Sequence, residues 1–145
     1  MIPEFVATLA AGTFFGAAVY INVAEQPARL SCGGRTAVAQ WRPSYRRGTL
    51  MQAPLAVAGS LAAPVAWWLD RDVRWLIGGL LLFLVIPFTF VVIFPTNQRL
   101  ENPVLDVASE EAVRLLGRWG RLHAVRSMLG GLSFAVFLWT LVAPR

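Results

Sequence analysis

Residues 118–126 read RWGRLHAVR and contain the only histidine of the chain, His123. They run directly into an apolar segment at about 122–142, so His123 and Arg126 fall within the first turns of an expected membrane-spanning helix. Ionisable side chains at membrane depth are costly unless they are paired or hydrated, and by default they mark a functional site. We therefore predict a site here, with its other side chains supplied by neighbouring helices.

The composition indicates a membrane protein. Of the 145 residues, 57% are hydrophobic and 14% are charged, and the mean hydropathy is +0.58. Several apolar runs reach about 20 residues, the length of a helix that crosses a bilayer. A soluble helical protein of this size does not need such runs. We predict an all-α, four-helix transmembrane bundle that forms one integral membrane domain over residues 1–145, with spans at about 5–23, 50–69, 75–94 and 122–142.

Amphipathic interfacial helices are expected in the two long loops between these spans. Residues 35–47 combine arginines with two aromatic residues, which is typical of a segment at headgroup level. We expect this helix to be broken near Pro43, and the first membrane-spanning helix to stop at Pro27. In the second long loop, Ser109 followed by two glutamates is a good N-cap for a helix that leads into the fourth span.

All thirteen basic residues are arginines, and the net charge is +5. We expect no nucleic-acid partner, because the arginines cluster between spans, where a cytoplasmic bias and anionic lipid explain them. The two long loops hold nine arginines, whereas the terminal side holds Arg71, Arg74 and Arg145. The positive-inside rule therefore predicts cytoplasmic long loops and outside termini, in what we expect to be a bacterial cytoplasmic membrane.

Metal and haem sites are not expected from the ligand count. Cys32 is the only cysteine and His123 the only histidine, too few for a zinc site or for two axial haem ligands. Glu25 with His123 would be two ligands of an incomplete set. We predict that the site uses no metal and no cofactor.

Four spans bring polar residues together at one membrane face, where the first and third helices end and the second and fourth begin. These residues are Asn22, Glu25, Tyr45, Arg46, Gln52, Thr89, Thr96, Asn97, Trp119, His123 and Arg126. Clefts between bundle helices that combine apolar walls with a few polar groups are common small-molecule sites. We predict such a site at the cytoplasmic mouth of the bundle.

A purely structural role for these polar groups is the alternative. Glu25, Arg126 and Asn97 could pair only to hold the bundle together, since buried polar groups must be satisfied in lipid. His123 favours a functional site, because a structural pair needs no group that titrates near neutral pH, whereas a proton acceptor does.

Several segments, in order along nearly the whole chain, resemble a family of small four-helix integral membrane proteins that includes the fungal anthrone oxygenases. The matching elements are GTFFG at 12–16 with Asn22 and Pro27, residues 41–45, Pro-Thr-Asn at 95–97, and LLGRW at 115–119 with His123 and Arg126. The resemblance implies an oxygenase that converts an anthrone into an anthraquinone with dioxygen, without metal or flavin.

In the chemistry that the resemblance implies, a base removes a proton from the acidic methylene, the anthrolate reacts with dioxygen, and loss of water gives the quinone. His123 is the expected base, with Glu25 as its orienting partner or as the alternative base. Arg126 and Asn97 would stabilise the enolate and peroxide oxygens. The expected substrate-binding side chains are Trp119, Trp41, Tyr45, Asn22, Gln52 and Arg46.

Two other classes of function fit the same sequence. A quinone- or lipid-binding module would use the same aromatic mouth without needing His123. A structural subunit of a membrane complex would pack against its partner through the small residues Gly12, Gly16, Gly130 and Gly131. The partners that we expect are a small lipophilic aromatic substrate, dioxygen and membrane lipid, with a homo-oligomer left open.

Overall fold

The computed structural model describes residues 1–143, which form helices and no strands. The four long helices are α1 (Ile2–Ser31), α2 (Gly34–Asp70), α3 (Arg74–Glu101) and α4 (Glu110–Val142). All four are long and apolar enough to cross a membrane, so the predicted all-helical transmembrane architecture is confirmed. Arg145, counted above among the arginines of the terminal side, lies outside the described residues. The membrane side of each loop stays a prediction.

The helices pack in a ring, in which α1 contacts α2 and α4, and α3 contacts the same two helices. Small residues bring the helices close together. A Cβ atom on Gly130 would lie 2.7 Å from the Phe14 ring, and one on Gly59 would lie 2.5 Å from Leu82. Packing of large side chains against glycine is a usual way for helices to associate in a membrane.

The helices extend beyond the predicted spans. Residues 35–47 form the first turns of α2, and Pro43 lies inside this helix, so the predicted break near Pro43 does not occur. With 37 residues, α2 is about 55 Å long, which exceeds the ~30 Å hydrocarbon core of a bilayer. The amphipathic segments are therefore end turns of the spanning helices, and the two loops shrink to residues 32–33 and 102–109.

A π-helical turn, Ile21–Glu25, lets α1 continue past Pro27. The amide of Gln26 donates to the carbonyl of Ile21, five residues earlier. A proline ring inside an α-helix clashes with the carbonyl four residues before it, and for Pro27 this is the carbonyl of Val23, inside the widened turn. The prediction that Pro27 ends the first helix is therefore wrong.

A second π-helical turn before a proline occurs in α3. A π-helical turn at Thr89–Ile93 is followed by Pro95, and the amide of Phe94 donates to the carbonyl of Thr89. The polar segment after Pro95, expected to be a loop, is therefore the last part of α3. Isolated π-turns inside α-helices are frequent near functional sites.

The turn after α2 is short, as the spans predicted on either side of it require, and the start of α4 follows the sequence-based prediction. Arg71 adopts a left-handed conformation with φ of 59° and ends α2, and its guanidinium lies 4.3 Å from the centroid of the Trp68 ring. The Ser109 side chain accepts a hydrogen bond from the Ala112 amide at 3.2 Å, which confirms Ser109 as the N-cap of α4.

Two apolar clusters fill the interior. The first is built around Phe14 and Phe137, and the second around Trp41 and Trp119. Along α4, His123 lies between Trp119 of the second cluster and Phe137 of the first. The buried polar residues near His123, among them Gln52 and Ser127, thus lie between the two apolar clusters.

Candidate functional site

His123 is held by Asn22 across the α1–α4 contact. The His123 side chain is buried, and its Nδ1 atom lies 2.8 Å from Oδ1 of Asn22. The orientation of the Asn22 side-chain amide is fixed, because its Nδ2 donates to the Gly120 carbonyl at 3.0 Å. Its Oδ1 also accepts a hydrogen bond from the Ser127 hydroxyl at 2.6 Å. Asn22 therefore presents an acceptor to the imidazole ring.

This arrangement assigns the proton of the neutral imidazole to Nδ1 and leaves Nε2 as the acceptor. Nε2 of His123 has no hydrogen-bond partner among residues 1–143. The ring packs against Trp119, with 4.8 Å between the centroids. The imidazole is thus fixed in position, while one basic nitrogen stays available.

A small cavity adjoins His123, and its free space is about 20 Å³, enough for roughly one water molecule. It is lined by Ile21, Ser44, Tyr45, Gly48, Thr49, Gln52, Trp119, His123 and Arg126. Five of the predicted site residues therefore lie together: Tyr45, Gln52, Trp119, His123 and Arg126.

Arg126 brings an unpaired positive charge to the cavity. Its Nη2 donates to Oε1 of Gln52 at 3.1 Å, and its guanidinium lies 5.6 Å from the centroid of the Phe14 ring. Within the described part of the chain, no carboxylate forms an ion pair with Arg126. Arginine stays charged in proteins, and an uncompensated charge in a protein interior is costly. The cavity is therefore suited to an anion.

Two hydrogen-bond donors beside the cavity are unused. Nε of Arg126 and Nε2 of Gln52 are both enclosed, and neither has a partner among residues 1–143. Gln52 is oriented by the bond that its oxygen accepts from Arg126, so its amide nitrogen points elsewhere. An oxygen atom of a bound ligand could accept hydrogen bonds from these two donors.

Glu25 forms no hydrogen bond with His123 in the described residues, and Asn22 occupies the position that was predicted for it. The Glu25 carboxylate accepts hydrogen bonds from Arg29, Ser44 and Gln40, the last at 2.9 Å. The cause is the continuation of α1 past Pro27, which places Arg29 one turn after Glu25, where helical ion pairs form.

Arg29, which was expected in a loop, packs beside the site without lining the cavity. Its side chain is 2% exposed, and its guanidinium lies 5.6 Å from the centroid of the Trp119 ring. The spacing of Glu25 and Arg29 was the signal that could have identified it. Ser127 was also missed, although it lies one helical turn after His123.

Besides Asn22 and Glu25, three further predicted site residues do not line the cavity. Trp41 stacks on Tyr45, with 4.9 Å between the ring centroids, and meets Trp119 edge-on. It therefore packs against two residues that line the cavity without lining it itself. Arg46 has an exposed side chain 3.3 Å from Glu101, because it follows Tyr45 in the helix and projects in another direction. Asn97 is buried, and neither of its side-chain polar atoms has a partner within residues 1–143.

No three His, Cys, Asp or Glu side chains come together as potential metal ligands in the described chain. The absence of a metal or cofactor from the reaction stays a prediction.

The fold and this cavity define the class, a small four-helix membrane protein with a polar cavity among its spanning helices. The family model of anthrone oxygenase matches residues 41–136, and the chain belongs to this family. The chain is 25% identical over 122 residues to noranthrone monooxygenase of Aspergillus flavus, an alignment that covers 76% of this chain and 55% of that protein. The chain thus spans about half the length of this curated relative. No solved structure matches the chain. Family membership supports an oxygenase-like role.

Proposed function

We propose that this protein is a membrane-embedded oxygenase that uses dioxygen to convert a flat, lipophilic aromatic ketone or phenol of the anthrone type into a quinone, without a cofactor. The observation that carries the proposal is the Asn22–His123 hydrogen bond, which leaves Nε2 of His123 as a fixed base beside the unpaired Arg126. Family membership supports the class of reaction. The choice of substrate rests on the name of the curated relative, noranthrone monooxygenase, and on the presence of a base and a cation that suit the acidic methylene and the ketone of an anthrone.

The first step is proton removal by His123. The methylene of an anthrone is acidic because the anion that forms is delocalised over two aryl rings and the carbonyl group. Nε2 of His123 takes this proton, and the imidazolium keeps its Nδ1–H bond to Asn22. A positioned histidine typically contributes about 100-fold or more to such a transfer.

Arg126 and Gln52 stabilise the negative charge that appears on the ketone oxygen. Donors that are already in place where charge develops are effective, because they need no reorganisation during the reaction. The unused Nε of Arg126 and the unused Nε2 of Gln52 are the donors available for this role. The hydrogen bond from Nη2 of Arg126 to Oε1 of Gln52 holds these two side chains together.

Dioxygen is the oxidant in the second step. The anthrolate carbon transfers an electron to dioxygen, and recombination of the two radicals forms a C–O bond and a peroxide anion. The imidazolium protonates this peroxide. His123 then removes the second hydrogen of the same carbon while the O–O bond breaks, and the departing hydroxide becomes water. The sum is one anthrone and one dioxygen giving one quinone and one water.

A structural subunit is less well supported by the packing. Of the four glycines that this hypothesis assigned to a partner, Gly12, Gly130 and Gly131 face the rings of Phe134, Phe14 and Phe15 of the same chain, whereas Gly16 has open space beside it. A binding module without catalysis stays as the competing function, and it predicts ligand binding without turnover.

Oxygen uptake by the purified protein tests the proposal. The protein in lipid nanodiscs is mixed with emodin anthrone, and uptake is compared with protein-free nanodiscs to correct for spontaneous oxidation. We expect uptake well above this background, with one emodin formed per dioxygen consumed. Uptake at the background rate by folded protein would contradict the proposal.

A further inference from the structure

A second cavity, here called the crevice, lies between α2 and α3. Its volume is about 120 Å³. The small residues Ala53 and Ala56 line it on α2, and Phe90 and Phe94 line it on α3. Phe90 is 66% exposed, so the crevice opens on the side of the bundle and not at its end.

The crevice and the His123 cavity meet at shared residues. Tyr45, Thr49 and Arg126 line both. Arg126 therefore lies between the apolar crevice and the imidazole of His123. The inner end of a ligand in the crevice would lie next to the guanidinium of Arg126.

The size and lining of the crevice suit one aromatic ring. An apolar cavity of about 150 Å³ is known to hold benzene, and the crevice is slightly smaller and open at one side. The His123 cavity alone, at about 20 Å³, has no room for such a ring. A fused-ring ketone therefore needs the crevice to bring its reacting centre to His123.

The π-helical turn of α3 forms one wall of the crevice. Thr89, the first residue of this turn, lines the crevice, and its hydroxyl donates to the Val85 carbonyl at 2.7 Å. This bond satisfies the hydroxyl inside its own helix, so the wall presents no unpaired donor to an apolar ligand. A π-turn beside a cavity is also common where a helix has been adapted for function.

A hollow between α1 and α2 also adjoins the His123 cavity, with which it shares Ile21, Ser44, Gly48 and Gln52. Its lining includes Glu25 and Arg47, and charged walls do not suit a lipophilic ring. Arg126 does not line it. The crevice is therefore the better route for a molecule dissolved in the bilayer.

We infer that the crevice between α2 and α3 admits the flat aromatic ketone sideways from the bilayer and holds one of its rings beside Phe90, with the ketone oxygen at Arg126. This inference rests on the proposed function, because it deepens the same site. It assigns Ala53, Ala56 and Phe90 to substrate binding, which the sequence did not predict.

The test is binding of emodin, the oxidised form of the proposed substrate, to protein in nanodiscs. Ala53→Trp fills the crevice from an exposed position, so the bundle is expected to fold. Ala58→Trp is the matched control, because Ala58 is also exposed on α2 and lies about 140° around the helix from Ala53. We expect saturable binding by the unmodified protein, a Kd at least about tenfold higher for Ala53→Trp, and a Kd within about twofold for Ala58→Trp.

Three results would overturn the inference: no saturable binding by the unmodified protein, equal affinity of Ala53→Trp and unmodified protein, or equal weakening by both variants. Equal affinity of Ala53→Trp would mean that the ketone binds outside the crevice. Oxygen uptake separates this inference from the proposed function. Binding as expected without turnover would contradict the oxygenase, whereas turnover unaffected by Ala53→Trp would contradict only the crevice.

Discussion

Oδ1 of Asn22 accepts a hydrogen bond from Nδ1 of His123 over 2.8 Å, between residues 101 positions apart in the chain. The Gly120 carbonyl fixes the orientation of the asparagine amide. This pair is the structural basis for assigning the base, because it sets the tautomer and leaves Nε2 unbound. We expect Asn22 to position the histidine, because its side-chain oxygen already accepts from His123 and Ser127.

Removing the acceptor should therefore impair turnover without abolishing binding. We expect Asn22→Ala to lower kcat by about 10- to 100-fold and to leave KM for emodin anthrone within about threefold. Asn22→Asp keeps an acceptor and should retain much of the activity. Nitrogen NMR of the imidazole should report a mixture of tautomers in Asn22→Ala. An unchanged tautomer together with unchanged kcat would contradict the positioning role.

Arg126 should contribute mainly to the transition state, because charge on the ketone oxygen develops during the reaction. We expect Arg126→Gln to lower kcat by about 100- to 1,000-fold, as for the loss of other oxyanion donors. Arg126→Lys should recover part of this loss, since it restores the charge but not the paired donors. Arg118→Gln, an exposed arginine of the same helix, is the control. Equal activity of Arg126→Gln and the control would remove Arg126 from the mechanism.

A substitution at Gln52 tests directly whether turnover requires Arg126 to lack an internal counter-ion. In Gln52→Glu the new carboxylate would lie within reach of Arg126, where the glutamine oxygen is 3.1 Å from Nη2. An internal ion pair would then replace the interaction with a substrate anion. We expect oxygen uptake to fall by at least about 100-fold, with the thermal midpoint unchanged or raised. A Gln52→Glu variant that retains full turnover would show that Arg126 need not be free.

The Glu25–Arg29 pair should stabilise the fold and not take part in proton transfer. Glu25→Gln leaves the buried Arg29 without its counter-ion, which typically costs about 3–5 kcal/mol. Replacing both residues, as in Glu25→Gln with Arg29→Met, should recover much of this loss. Thermal unfolding in detergent measures both variants. If Glu25→Gln instead lost turnover at an unchanged midpoint, Glu25 would be a base.

The helix periodicity of the sequence was enough to place the centre of the site. Trp119, His123 and Arg126 share one stripe of α4, and Tyr45 and Gln52 share one stripe of α2, so their convergence follows from the order of the spans. All five line the cavity. Membrane helices make such predictions easier, because polar residues on a spanning helix must face the interior.

The continuation of the first and third helices past Pro27 and Pro95 was not predicted, and it depends on the π-turns. Pro27 was interpreted as the end of the first helix, because a proline normally interrupts the α-helical hydrogen bonds. The widened turn at Ile21–Glu25 instead carries α1 onward and pairs Glu25 with Arg29. A backbone adjustment of this kind has no signature in hydrophobic periodicity. The role of Asn22 as the partner of His123 was missed for the same reason.

Oxygen uptake by the His123→Ala variant tests the central claim most directly. Unmodified protein, His123→Ala and the control Arg118→Ala are compared in nanodiscs with emodin anthrone, each corrected for spontaneous oxidation and each shown to be folded. We expect uptake by His123→Ala to fall at least about 100-fold, while Arg118→Ala keeps the unmodified rate. Full turnover by folded His123→Ala would contradict the account, because no other described residue offers a free basic nitrogen beside this cavity.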